Sequence, residues 1–251
     1  MFRTMLVAVL ATGLLAMPGV RAQPGAGRDV AIPSAEKIVN FLQMQRVSYE
    51  KDLQTTPFKE VLEDLALRHG VIFVVNKVAI GDMAAALDTA KAEKLSVTKL
   101  DGMRFVTFLD VYFRSLPIEN LTYLVRADHI EITTRDAAQK EAGLMEAMDE
   151  AKASGEQAEI VRAKARLNLP LVCVSAKERP LSSILDELAA VYGLNIVVDS
   201  SARASGNLKG PLTERLLNVP VDTALELLAG QAGLSVVRKG NTFRISFSGA
   251  Q

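Results

Sequence analysis

One segment of the sequence occurs twice, and this repeat limits the folds that are open to the chain. Residues 57–76, PFKEVLEDLALRHGVIFVVN, align without a gap on residues 180–199, PLSSILDELAAVYGLNIVVD. In both copies apolar residues recur at the three- and four-residue spacing of an amphipathic helix, and a β-branched run follows. The repeat therefore predicts one helix-then-strand unit that the chain uses twice.

A proline and a glycine bound the helix in each copy. Pro57 and Pro180 stand at the first predicted helical position, where the missing N–H of proline leaves no hydrogen bond unmade. Gly70 and Gly193 follow the helix, where glycine readily forms a left-handed cap. These four residues define the predicted ends of both helices.

The sequence after each repeat corresponds less closely but has the same order of elements. Residues 216–225 align with residues 100–109, and in both a strand end leads into a second amphipathic helix. In the second copy Pro220 precedes this helix and Gly233 follows it. A further strand is predicted before each first helix, at 47–53 in the first copy and 170–176 in the second. A hairpin is predicted after each second helix, at 121–125 and 130–134 in the first copy and at 234–238 and 242–247 in the second.

These patterns predict the α+β class, with two tandem β-α-β-β-α-β-β modules joined by a helical linker. The linker is rich in Ala, Glu and Lys, which favour helix, and Ser154-Gly155 interrupts it. We interpret it as a solvated spacer, although Leu144, Met145 and Met148 could pack one face against a module. The predicted boundaries are a leader with a short helix at 23–45, module 1 at 46–134, the linker at 135–167 and module 2 at 168–247.

Residues 1–22 have the pattern of a secretory signal peptide. Arg3 supplies the positive charge, residues 5–17 supply the apolar core, and Val20-Arg21-Ala22 places small residues where signal peptidase cleaves. The apolar run is shorter than the roughly 20 residues of a membrane-spanning helix. We therefore expect cleavage near Ala22 and a periplasmic or secreted mature chain without a membrane span; an uncleaved N-terminal anchor is the alternative.

The composition excludes several classes of function. Lys and Arg number 29 and Asp and Glu 29, and neither predicted module has the basic excess of a nucleic-acid binder. Cys173 is the single cysteine, so no internal disulfide can form, and we expect it to be a buried apolar residue on a strand. The two histidines, His69 and His129, are distant in sequence and make a weak metal pattern. His69 aligns with Tyr192, which indicates packing at a helix end.

The order of these motifs resembles a known family. The pattern P-[FL]-x-x-[VI]-L-x-x-L-A, then a glycine and a V-V strand, then N-V-P-V-D-x-A-L and a hairpin, is similar to the secretin and TonB N-terminal short domain, known as STN, and to related N-terminal domains of secretins. Residues 169–247 carry the pattern most fully. Residues 46–134 carry its first half, but Asp101-Gly102-Met103-Arg104 then replaces N-V-P, and Pro117 takes the place of Gly233.

The resemblance implies periplasmic modules at the entrance of outer-membrane secretins or TonB-dependent receptors. Such modules contact neighbouring subunits, inner-membrane partners or an anti-sigma regulator, and no catalytic residues are associated with them. We therefore expect an envelope protein that binds a secretin, a receptor or a regulator, and we predict no catalytic residue, no cofactor and no metal.

Two surfaces are candidates for binding a partner. Residues 200–211, SSARASGNLKGP, form a polar connection between strands, in which Arg203, Asn207 and Lys209 are the candidate partner-binding residues. An ordinary flexible loop is the alternative. The exposed edge strand of each small sheet is the second candidate, because it can accept a strand from a partner or from another copy of the chain.

Two other functions stay open. A small ferredoxin-like enzyme or ligand-binding protein would need a site that no motif reveals, since the carboxylates Glu60, Glu63 and Asp64 lie on the polar face of a predicted helix rather than as an acid–base pair. A structural subunit would assemble into homo-oligomers through its own edge strands.

Overall fold

The computed structural model describes residues 34–97 and 99–247, in which helices and short strands alternate. The predicted signal peptide and the leader up to residue 33 lie outside the described residues. The helices are α1 (Ala35–Met44), α2 (Phe58–His69), α3 (Lys77–Ile80), α4 (Ala84–Thr89), α5 (Phe105–Ser115), α6 (Arg135–Glu141), α7 (Leu144–Ser154), α8 (Gln157–Leu167), α9 (Leu181–Tyr192), α10 (Ser200–Ala204) and α11 (Val221–Gln231). The strands are β1 (Arg46–Val47), β2 (Phe73–Val75), β3 (Met103–Arg104), β4 (Leu121–Val125), β5 (Ile130–Thr134), β6 (Leu171–Pro180), β7 (Asn195–Val198), β8 (Pro211–Pro220), β9 (Leu234–Lys239) and β10 (Thr242–Phe247).

The N-terminal half, residues 34–134, contains two small sheets. β1 and β3 form an antiparallel pair in which Val47 lies opposite Met103. The other sheet has the strand order β2-β5-β4. In it β5 runs parallel to β2 and antiparallel to β4, with Ile130 opposite both Phe73 and Val125. A parallel pair needs a long crossover, and here the crossover from β2 to β5 contains α3, α4, β3, α5 and β4.

The C-terminal half, residues 168–247, has the same arrangement. β6 and β8 are antiparallel, with Val172 opposite Val219, and the pair continues to Pro180 and Pro211 through two bulges. The other sheet has the order β7-β10-β9, in which β10 is parallel to β7 and antiparallel to β9. The two halves therefore share their strand order and strand directions, although the antiparallel pair β1–β3 is much shorter than the pair β6–β8.

Individual hydrogen bonds also recur at equivalent places. The N–H of Asn76 donates to the carbonyl of Ile132 at 2.8 Å, and the N–H of Asp199 donates to the carbonyl of Ile245 at 2.9 Å. Asn76 and Asp199 each precede a short helix, α3 and α10, as its N-cap residue. The backbone thus follows one path at the corresponding corner of each half.

The first helix of each half begins one residue later than the sequence predicts. Pro57 and Pro180 are the N-cap residues of α2 and α9 rather than their first helical residues, and Pro220, which precedes α11 as predicted, is also an N-cap residue. Their ψ angles of 146°, 140° and 136° are extended, and Pro180 and Pro220 are also the last residues of β6 and β8. Each proline therefore carries the strand conformation up to the point where the helix begins.

The predicted left-handed glycines are confirmed. Gly70 and Gly193 end α2 and α9 with φ of 64° and 65°, and Gly233 precedes β9 with φ of 67°. Pro117 follows the C-cap residue of α5, as Gly233 follows the C-cap residue of α11, so the predicted correspondence holds at the helix end. Asn120, with φ of 62°, directly precedes β4 as Gly233 precedes β9, and asparagine tolerates this region better than most residues.

The strand predicted at 47–53 ends at Val47. The chain turns instead at Asp52, whose carbonyl accepts hydrogen bonds from the N–H groups of Thr55 and Thr56 at 3.2 and 2.9 Å. Its carboxylate also accepts one from the N–H of Gln54 at 2.8 Å. Local side-chain bonds of this kind compete with strand pairing. The hairpin strands of both halves lie at or within one residue of their predicted limits, 121–125, 130–134, 234–238 and 242–247.

The segment predicted as a solvated spacer is three helices, α6 to α8, and part of it is packed. Gly155, with φ of 73°, ends α7 at the predicted interruption. α6 packs against β4 and β5, and Ala138 and Leu144 are buried whereas Met145 is exposed. The helix-forming composition of this segment alone does not indicate that α6 packs on a sheet.

Two hydrophobic clusters form the core. The N-terminal cluster is rich in aromatic residues, with Phe58 and Tyr112 stacked at 6.0 Å between ring centroids, and the C-terminal cluster is mainly aliphatic. Cys173 belongs to the N-terminal cluster although it lies on β6, and the two halves form one compact unit. The α+β class is confirmed. Of the helices in residues 34–97 and 99–247, none is long and apolar enough to cross a membrane.

Candidate functional site

The polar connection between β7 and β8 is ordered by its own side chains. It contains α10 and a single 3-10 turn, Asn207–Lys209. The side-chain amide of Asn207 donates to the carbonyl of Ala232 at 2.7 Å, which satisfies the last turn of α11. Asn207 is therefore occupied within the chain, and its side chain ties the connection to the segment before Gly233.

The two predicted basic residues of this connection lie on its surface. The Nε of Arg203 donates to the carbonyl of Val198 at 3.2 Å, and both Arg203 and Lys209 are exposed. The structure thus separates the three predicted residues by role. Asn207 holds the connection, whereas Arg203 and Lys209 are available to an acidic or carbonyl-rich partner.

The three-stranded sheets have edges at β2, β4, β7 and β9. At the end of β4 the side chain of Asn218 accepts from the N–H of Val125 and donates to its carbonyl, both at 2.9 Å. The side-chain amide of Asn218 therefore satisfies the backbone N–H and carbonyl of Val125 as a neighbouring strand would. β7 and β9 carry exposed Val197 and Val237, so the C-terminal sheet has the more accessible apolar surface.

A cluster of buried polar groups around Cys173 joins the two halves. Its N–H donates to the hydroxyl of Tyr192 at 3.0 Å, and its carbonyl accepts from the amide of Gln43 at 2.8 Å. The N–H of Asn218 donates to the Cys173 sulfur at 3.4 Å. The N-terminal helix α1, strand β6 and strand β8 are therefore connected by hydrogen bonds at one point.

Burial sets the chemistry of this junction. It raises the pKa of the Cys173 thiol to about 11, and it raises the pKa of the hydroxyls of Tyr192 and Tyr123 well above the usual value. A thiol with a raised pKa is a poor nucleophile because little of it is thiolate at neutral pH. The expectation that Cys173 is a buried strand residue is confirmed, and the junction is suited to hold the halves together.

A cleft of about 480 Å³ opens beside this junction. Tyr123 lines it from the N-terminal half, Tyr192 lines it from the C-terminal half, and Arg135 lines it from α6. Arg114 on its wall pairs with Asp110 at 2.9 Å. Its lining combines these tyrosine rings and charged side chains with neutral polar residues, among them Thr107, Gln139 and Asn168.

The two histidines lie in different settings. The ring of His69, the last residue of α2, packs against Phe41 and Phe105 at 5.4 and 5.7 Å. Burial, with a smaller effect of Arg68, lowers its pKa; a charge at this helix end is therefore disfavoured. His129 Nδ1 contacts Asp128 Oδ1 at 2.7 Å. Among the residues that the structure describes, no group of three or more His, Cys, Asp and Glu side chains could hold a metal ion.

Acidic residues on α2 form an ion-pair network. Lys51 Nζ lies 2.7 Å from a carboxylate oxygen of Glu60 and 2.6 Å from one of Asp64. The hydroxyl of Tyr49 donates to Asp64 at 3.0 Å. The bond from Lys51 lowers the pKa of Asp64, so this carboxylate stays ionised and acts as a hydrogen-bond acceptor for its neighbours.

Comparison with known proteins adds no relative. No protein-family model matches the chain, and no curated protein matches it significantly.

Asn218 is the structural residue that the sequence patterns do not reveal. It was visible only as part of N-V-P, and its partner Val125 is far away in sequence.

Proposed function

We propose that this chain is an exported cell-envelope protein that binds other proteins through two tandem STN-like modules. In this proposal the mature chain acts in the periplasm, in association with an outer-membrane secretin or a TonB-dependent system. Its partner is a secretin, a receptor or a regulator, and neither catalysis nor a cofactor is part of its role.

The repeated strand order carries this proposal. Each half combines an antiparallel strand pair with a three-stranded sheet whose central strand is parallel to one neighbour and antiparallel to the other. A proline directly precedes the first helix of each half as its N-cap residue, and a left-handed glycine ends that helix. This is the element order that the resemblance to STN domains implies, which supports assigning both halves to one kind of module.

The surfaces of the C-terminal half support a binding role. Exposed cations at Arg203 and Lys209 and exposed apolar residues at Val197 and Val237 lie on ordered elements. Binding surfaces commonly occur where a rigid scaffold holds side chains of both kinds in place.

Affinity purification of the tagged full chain from the cells that produce it, after formaldehyde cross-linking, tests the proposal. We expect enrichment of an outer-membrane secretin, a TonB-dependent receptor or an envelope regulator over an unrelated exported protein with the same tag. Mass spectrometry of the purified chain should give Gln23 as its first residue. Recovery of the chain alone, or with cytoplasmic proteins only, would contradict the proposal.

Charge-reversal variants locate the contact. Changing Arg203 and Lys209 together to Glu should reduce the yield of the partner. The matched control changes Arg162 and Lys164, two exposed cations on α8, and should leave the yield unchanged. Equal yields from both double variants would exclude the connection between β7 and β8 as the contact.

A further inference from the structure

The outer faces of the two three-stranded sheets are equivalent but differ in surroundings. Glu131 lies opposite Leu124 in the N-terminal sheet, and Arg244 lies opposite Val237 in the C-terminal sheet. Each is hydrogen-bonded to the residue at the same corner of its half: Glu131 accepts from the amide of Asn76, and Arg244 donates to the carboxylate of Asp199. Leu124 and Val237 are thus the same position of the fold.

A helix covers the N-terminal face. α6 begins directly after β5 and packs against β4 and β5. On this side of the protein Leu124 of β4 is 2% exposed and Ala138 of α6 is also buried. Arg126, at the end of β4, is ion-paired both to Glu131 on the sheet and to Glu141 on α6. This bridging cation fixes the helix on the sheet.

The corresponding C-terminal face is open. Val237 is 58% exposed, whereas Val197 on β7 is 42% exposed, the same fraction as its counterpart Val74 on β2. The two faces therefore differ at Val237. Arg244 donates through Nε to Asp199 at 2.8 Å, but its side chain is still 65% exposed. Lys239 occupies the place of Arg126, opposite Thr242, and is exposed. The name open face is used below for the surface formed by Val237, Lys239 and Arg244.

We propose that the open face binds an acidic amphipathic α-helix of a partner protein, in the position that α6 takes on the N-terminal sheet. The inference rests on the proposed function and specifies its surface and partner. A helix is the occupant because the same sheet in the first half is covered by one. The helix is acidic because the N-terminal face has one cation, Arg126, balanced by Glu131, whereas the open face has two cations, Lys239 and Arg244, against the single carboxylate of Asp199.

The helix must also be narrow on its contact side. α6 packs against β4 and β5, and its buried apolar side chain is the small Ala138. The predicted partner segment therefore has alanine or glycine facing Val237, with carboxylates one turn to either side. Burial of Val237 supplies apolar contact, and the charges set the orientation.

Photo-cross-linking in the producing cells tests this inference. p-Benzoylphenylalanine replaces Val237 in the full chain, and the matched control replaces Val161, an exposed valine of α8. We expect an adduct from position 237 but not from 161, mapping to a helical segment with at least two carboxylates. Arg244→Glu should reduce the adduct about tenfold or more, and changing a partner carboxylate to Lys should restore it.

Lys239→Glu serves as a second variant, because Arg244 also bonds to Asp199 and its loss could disturb the corner of the sheet. An adduct on an extended segment, an adduct on a second copy of the chain, or an adduct insensitive to both charge reversals would overturn the inference. So would the absence of an adduct at position 237 when affinity purification still recovers an envelope partner, a result that leaves the proposed function standing. Recovery of no partner by either method would overturn both.

Discussion

The amide of Asn218 should be the most sensitive point of contact between the two halves. Its side chain makes two 2.9 Å hydrogen bonds to the backbone of Val125, which is 1% exposed. Asn218→Ala removes both bonds and leaves a buried donor and acceptor unsatisfied, each costing about 1–3 kcal/mol. Asn218 also has a φ of 54°, where alanine is less favourable than asparagine by about 1 kcal/mol. These terms sum to about 3–7 kcal/mol, and because single substitutions rarely cost more than about 5 kcal/mol, we expect a loss of about 3–5 kcal/mol in the free energy of unfolding.

Urea unfolding of the mature chain, followed by circular dichroism, measures this loss. With a slope of about 3 kcal/mol per M, the midpoint should fall by about 1–1.7 M. Asn218→Gly removes the same bonds without the backbone penalty and should cost about 1 kcal/mol less than Asn218→Ala. Asn168→Ala, at an exposed position with one 3.3 Å bond, is the control and should change stability by less than about 0.5 kcal/mol. A loss below about 1 kcal/mol for Asn218→Ala would refute the assignment of this amide as a bridge.

Three further predictions concern individual side chains. Gly193→Ala should cost about 1–2 kcal/mol because Gly193 has a φ of 65°, whereas Gly230→Ala, within α11 and with open space around its Cβ, should be neutral or stabilising; equal thermal midpoints would contradict this. Cys173 should not react with an aromatic disulfide reagent at pH 8 in the folded chain, since burial raises its pKa to about 11, but should react fully in denaturant; rapid reaction of the folded chain would be inconsistent with the buried junction. Because burial lowers the pKa of His69, its stabilising effect is present above the unfolded-state pKa of about 6.5 and is lost as the pH falls below it. His69→Phe should flatten this part of the stability–pH curve, and an unchanged curve would exclude His69 as its origin.

Local signals predict most of the fold, because the helices and hairpins are determined within a few residues. The glycine after α2 and the proline before it bound that helix in sequence and in structure, with an error of one residue at Pro57. The two failures have different causes, one local and one distant in sequence. The strand predicted from 47 to 53 gives way to a turn at Asp52, and the packing of α6 depends on a sheet face that the linker composition cannot reveal.

The candidate site is less predictable because the roles of its residues depend on contacts that are distant in sequence. Arg203, Asn207 and Lys209 share a polar segment, and the sequence treats them alike. Asn207 differs from the other two because its amide reaches the carbonyl of Ala232, 25 positions away in sequence. Tertiary contacts of this kind decide which polar residues are structural and which stay available for a partner.

The divergence of the N-terminal half conceals a common backbone. Gly102 precedes Met103 as Asn218 precedes Val219, and both have positive φ, 64° and 54°. At this position glycine and asparagine are interchangeable for the backbone, since both tolerate the left-handed region. Only asparagine adds a side chain that can reach another strand, and only the C-terminal copy has a strand to reach, at Val125. The replacement of N-V-P in the first half is therefore a loss of an inter-half bond and not a change of fold.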